Sequence, residues 1–125
     1  MKSGAKPPHS KMSEAMSRIE TAQQIIAAYE GHGWKLRRIL LRPASRDEFK
    51  SSADAFPEAA LIDAEIDALW FARPSHDQRE AWELRLISET AYALFEAFEA
   101  DESDEEREDV RREMENRMRE HTVGN

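Results

Sequence analysis

The chain has 125 residues, 26 acidic against 18 basic side chains for a net charge of −8, and no cysteine. That length suits one domain, which on folding buries about two-thirds of the surface its unfolded chain exposes, and the missing thiols exclude disulfides, thiolate catalysis, Cys-ligated zinc and iron–sulfur clusters. Charge is uneven: residues 1–50 hold 10 Lys and Arg against 5 acids, residues 51–125 hold 8 against 21, so the basic part is too small and dispersed for a phosphate track.

No nucleic-acid partner is therefore expected, and the asymmetry suits solubility or a charged protein partner. Lys2 and Lys6 precede no apolar h-region, and no apolar run nears the length of a membrane span, so neither export nor a membrane partner is expected and the cytoplasm is the natural compartment.

Residues 1–12, MKSGAKPPHSKM, combine two prolines, a glycine and scattered lysines, a composition that predicts a disordered tail. Residues 13–100 read as a single α+β domain and residues 101–125 as a charged C-terminal helix and tail. From Ser13, a candidate N-cap, Met16, Ile19, Ala22, Ile26 and Tyr29 recur at three- and four-residue steps, predicting an amphipathic helix stopped at Gly31 or Gly33.

Next, WKLRRILLR over 34–42 reads as a strand with Trp34, Leu36 and Leu40 on one face, a possible bulge near Arg38, and Pro43 as its end. Ser45 and Glu48 have capping-box spacing, followed by Phe49, Ala53 and Phe56 at helical steps, so a short second helix is expected, closed by Pro57. Residues 58–65 carry both helical and alternating patterns and are expected as an extended or irregular lead-in.

The segment the chain is built around is IDALWFARPSHDQREAWELRLI, residues 66–87. It predicts a β-hairpin whose loop, Pro74 to Gln78, sets Trp70 opposite Trp82, Ala68 opposite Leu84 and Ile66 opposite Leu86 on one face. The same pairing sets Asp67 opposite Arg85 and Leu69 opposite Glu83 on the other face, where Leu69 and Phe71 call for a cover. TAYALFEAFEA is rich in helix formers and is expected as a helix presenting Ala91, Leu94, Phe95 and Phe98, with a further strand as the alternative. Ser103 and Glu106 then open a last helix. Its apolar stripe of Val110, Met114 and Met118 is so narrow that the helix either docks lightly or takes a partner. Glu108 with Arg112, Glu113 with Arg117 and Glu115 with Arg119 have i,i+4 spacing, worth about 0.2–0.5 kcal/mol each. The order α-β-α-β-β-α-α implies an α+β fold with a small, three-stranded, mainly antiparallel sheet covered by helices.

The chemistry is sparse. His9, His32, His76 and His121 show no ligand spacing, and no metal or other cofactor is expected. Asp63, Glu65 and Asp67 start like an EF-hand loop, but Ala68 and Pro74 stand where Gly and Glu are required. Gly31 and Gly33 follow a helix rather than precede one, unlike a phosphate loop. Ser75, His76 and Asp77 are adjacent letters that suit a turn, since a triad is assembled in space. No catalytic residue is assigned. The acidic run over 100–109 suits a helix start or a docking arm for a basic partner.

The most suggestive grouping is Trp70, Arg73, Trp82 and Arg85, with Arg37 and Arg38 nearby, because guanidinium groups beside aromatic faces can hold an anionic or planar ligand. The expected function is a non-enzymatic interaction or regulatory domain, self-associating as a homo-oligomer or binding a protein partner through Val110, Met114 and Met118. The alternative is a small-molecule or anion binder, or an enzyme, with a pocket at the tryptophan hairpin.

Overall fold

The computed structural model describes residues 17–51, 56 and 59–123. The expected tail over 1–12, the candidate cap Ser13 and the helix stop Pro57 lie outside the described residues. The elements are α1 (Arg18–Glu30), β1 (Lys35–Leu41), α2 (Pro43–Lys50), β2 (Ala60–Asp63), β3 (Ala68–Pro74), a 3-10 turn (His76–Gln78), β4 (Glu80–Leu86), β5 (Ala93–Phe98) and α3 (Asp104–Val123).

The α+β class stands, but the three-stranded sheet is corrected to a five-stranded one in the order β2-β1-β3-β4-β5. Two strands account for the difference. β2 is only four residues long and pairs parallel to β1, Arg38 with Ala60 through Leu41 with Asp63. Parallel neighbours need a crossover, and α2 supplies it. β5 replaces the helix expected over TAYALFEAFEA and runs antiparallel to β4, from Glu80 with Phe98 to Arg85 with Ala93. The helical propensity of Ala, Leu and Glu is worth tenths of a kcal/mol per residue, which ladder formation and the burial of Phe98 outweigh.

The central hairpin β3–β4 forms in a register shifted by two residues from expectation, with Ala68 opposite Leu86, Trp70 opposite Leu84 and Ala72 opposite Trp82. Its loop is Ser75 to Arg79, closed by the Ser75 N–H on the Arg79 carbonyl at 2.9 Å, with Asp77 and Gln78 at φ 58° and 64°. A shift of two preserves every face assignment. The two indoles consequently still meet, diagonally and edge to face, with centroids 5.8 Å apart.

Both faces of the sheet are covered. On one, α1 and α2 pack Ala22, Ile25, Ile26 and Phe49 against Ile39, Leu41, Leu69 and Phe71, which supplies the cover that Leu69 and Phe71 required. On the other, α3 packs Met114 and Met118 against Leu40, Trp70, Trp82, Leu84 and Phe98. The register of β1 breaks between Leu36 and Arg38, so an extra residue flips the alternation there. For this reason Leu36 and Leu40, expected on one face, fall on opposite faces.

Helix ends follow local chemistry. Ser17 caps α1 through a reciprocal capping box with Glu20. After α1, Gly33 adopts φ 87°, and the Trp34 N–H returns to the Tyr29 carbonyl at 3.1 Å. That turn aims the Trp34 side chain into the core. At α2 the expected box from Ser45 does not form: Arg42 is the N-cap, Pro43 takes the first turn, and Ser45 turns inward. α3 does carry its expected box, Ser103 with Glu106. Among the described residues no helix is long and apolar enough to cross a membrane.

Candidate functional site

The four residues expected around one pocket are not brought together. Trp70 is fully buried and Trp82 nearly so. Their indole N–H groups donate to Glu115 Oε2 at 2.8 Å and Glu80 Oε1 at 2.7 Å, respectively. The space above Trp82 is filled by the chain itself, with Arg111, Arg37 and Arg38 guanidinium carbons 4.3, 5.4 and 5.5 Å from its ring centroid. Glu108 links two of them, bonding Arg38 Nη2 at 3.0 Å and Arg111 Nη2 at 2.9 Å. Burial by itself would raise the Glu108 carboxyl, but the bonds from Arg38 and Arg111 outweigh it and hold it below the usual range.

Arg73 instead lies 4.5 Å over Trp34 and donates to the His32 carbonyl at 2.7 Å. Arg85 is on the opposite sheet face, where it donates to the Leu86 carbonyl and lines a hollow with Tyr29. There Tyr29 stacks on Phe71 at 4.1 Å and donates its hydroxyl to Glu83. Burial, then the Glu83 carboxylate, push the Tyr29 hydroxyl well above its ordinary value. Neither described cavity is lined by Trp70 or Trp82.

Met114 and Met118 are 2% and 0% exposed on the sheet, and Val110 packs beside them. The narrow stripe is supplemented by polar cross-links: besides Trp70 to Glu115, Arg107 reaches Glu80 at 3.2 Å and Arg119 reaches Glu65 at 3.5 Å. Two of the three expected i,i+4 pairs are replaced: Glu108 takes Arg38 and Arg111, Arg112 takes Asp109, Glu115 takes Trp70 and Arg119 takes Glu65. The side chains expected to meet a partner are thus seated on their own sheet.

Sequence reasoning missed Asp67, expected to pair with Arg85. It is 4% exposed. Its Oδ1 accepts the Arg42 backbone N–H at 2.8 Å, and its Oδ2 accepts Ser45 Oγ at 2.8 Å, Arg42 Nε at 3.2 Å and Arg18 Nε at 3.0 Å. This carboxylate satisfies the N-terminus of α2 and ties α1 and α2 to the start of β3. The available signal was alternation: Asp67 shares a face with Leu69 and Phe71, which needed a cover.

A second missed feature is the outer edge of β5. Among the described residues β5 has one strand neighbour. The Leu86 N–H donates to the Tyr92 carbonyl at 3.0 Å, so in the antiparallel alternation residues 92, 94, 96 and 98 turn their backbone groups toward β4. Ala93, Phe95 and Ala97 turn theirs outward. Phe95, opposite Glu83, is 56% exposed, with its ring edge-on to Trp34 at 6.3 Å between centroids. Comparison with protein families, with curated proteins and with solved structures finds no match for this chain.

Proposed function

We propose that the protein is a non-enzymatic interaction domain that self-associates by pairing the outer edge of β5 with the same edge of a second copy, which extends the sheet across a two-fold axis. One observation carries the reading: a six-residue edge strand offers outward backbone groups at Ala93, Phe95 and Ala97 beside an exposed aromatic ring.

The edge is self-complementary in a register centred on Phe95. Residue 93 then faces 97, Phe95 faces its copy, and Glu96 faces Leu94. Three hydrogen-bonded pairs result, with the two Phe95 rings side by side on one face. A shift that set Glu96 against itself would bring like charges together and is disfavoured. Six backbone bonds contribute about 0.5–1.5 kcal/mol each and association costs several kcal/mol of lost freedom, so a weak association with a Kd on the order of 0.1–1 mM is expected. With a net charge of −8 on each copy, association should tighten as salt rises from about 0.01 M to about 0.15 M and the screening length falls from about 30 Å to about 8 Å. The absence of cysteine is in keeping with a cytoplasmic setting for such a domain.

Light-scattering mass of the full chain against Ala97→Pro tests the reading. Proline removes an outward N–H and no ladder bond. A concentration-dependent dimer that becomes monomer in the variant supports it; a monomer in both, or an unaffected dimer, removes it.

A further inference from the structure

At the end of the sheet where β3 begins and β4 ends, the starts of α1 and α2 and the end of α3 surround a cavity of about 370 Å³. Its apolar wall is Ile66, Leu86, Ile87 and Val123, and its polar end is Arg18, Arg42 and Asp67, with Glu65 at the rim. We propose that this cavity is a binding site for a small organic monoanion, a carboxylate with a short apolar tail. It is independent of the β5 edge.

The charge balance at the polar end specifies the anion. Arg18 and Arg42 both pair with one carboxylate, Asp67, at 3.0 and 3.2 Å, while Glu65 at the rim pairs with Arg119 at 3.5 Å, so one positive charge is left in excess. Arg18 spends its Nε on Asp67, and Arg42 spends its Nε and one Nη. Each guanidinium has five N–H donors in a planar fork, so donors remain on both, and their side chains are 45% and 41% exposed. Asp67 holds both forks in place. A carboxylate fits a fork with two parallel bonds.

The positive ends of α1 and α2 add to the same field, partly offset by the end of α3. A dianion is disfavoured because Asp67 and the 77% exposed Glu65 side chain stand beside the arginines. The opposite wall has aliphatic side chains, and the volume lies within the range of small-molecule sites. These features select a head of one negative charge joined to a hydrocarbon.

The test uses the full-length chain titrated with hexanoate, and separately with inorganic phosphate, while amide shifts are followed by NMR. Saturable hexanoate binding is expected, with shifts centred on residues 66–67 and 86–87, and little response to phosphate. Arg18→Gln should weaken hexanoate by about tenfold, Asp67 remaining bonded to Arg42 and Ser45. Glu65→Gln, at an exposed position where the amide oxygen can still accept from Arg119, should tighten it by a few-fold. No saturable hexanoate binding up to about 10 mM, phosphate binding as tight as hexanoate, or an affinity unchanged in both variants would overturn the proposal. Should Arg18→Gln fail to fold, the direction of the Glu65→Gln change decides it.

Discussion

The sheet ends in two edges of unlike character. β2 offers four residues and is tethered by the ion pair of Asp63 with Arg46 of α2, whereas β5 offers six, with Phe95 exposed and no proline, lysine or bulge along it. Shortness and charge are common ways to blunt an edge. β2 has both, and β5 has only Glu96. Since α1, α2 and α3 already fill the two faces, the longer run of outward backbone groups among the described residues lies at β5, and the predictions below separate what the faces do from what each edge does.

The largest effect belongs to the faces. Trp70→Ala should lower unfolding free energy by about 3–5 kcal/mol in urea, because Trp70 is fully buried and its N–H bond to Glu115 helps to seat α3. Next comes the support of the β2 side. Asp67→Asn exchanges a carboxylate shared by Arg18, Arg42 and Ser45 for an amide, and should cost about 2 kcal/mol, with amide exchange quickening in β1 and β2 before β4 and β5. Uniform quickening would show that Asp67 does not support that side in particular.

At the other edge the expected pattern reverses. Ala97→Pro should leave monomer unfolding within about 0.5 kcal/mol of the parent while weakening self-association at least about tenfold. An equal loss of both would mean that the edge is structural. Smallest are two pH limbs, neither lying on an edge. Tyr29 is raised in the fold, so its contribution is complete below the ordinary 10.0 and is lost as pH climbs past it. Tyr29→Phe should flatten that alkaline limb. Glu108 is lowered in the fold, so its contribution is present above 4.5 and is lost as pH falls through its lower folded value. Glu108→Gln should flatten the acid limb. Association of the two variants, compared at neutral pH, should match the parent.

What could be read from residues alone divides along the same line. The hairpin faces were legible because alternation has period two: Trp70, Trp82 and Leu84 stay together although the loop begins one residue later and the register moves by two. The edges were not. β2 is too short for a period to show, and β5 carries Leu94 and Phe98 on the face under α3 but Phe95 on the other, so its strand has apolar groups on both sides and resembles a helix of Ala, Leu and Glu. The site residues fared alike. Trp70 and Trp82 were expected directly opposite and meet diagonally, whereas Arg73 lies over Trp34 and Arg85 on the other sheet face. Asp67 was hidden because its partners, Arg18, Arg42 and Ser45, come from two helices distant in sequence. Pairing across such distances leaves no local pattern.

The most direct measurement of the central claim is amide hydrogen exchange along β5 at low and high protein concentration. Leu94 and Glu96, whose N–H groups face β4, should be protected at both. Ala93, Phe95 and Ala97 should exchange freely when dilute and become protected when concentrated, and Ala97→Pro should abolish that protection at Ala93 and Phe95. Protection of the outward amides that does not change with concentration, or their free exchange throughout, would contradict the account.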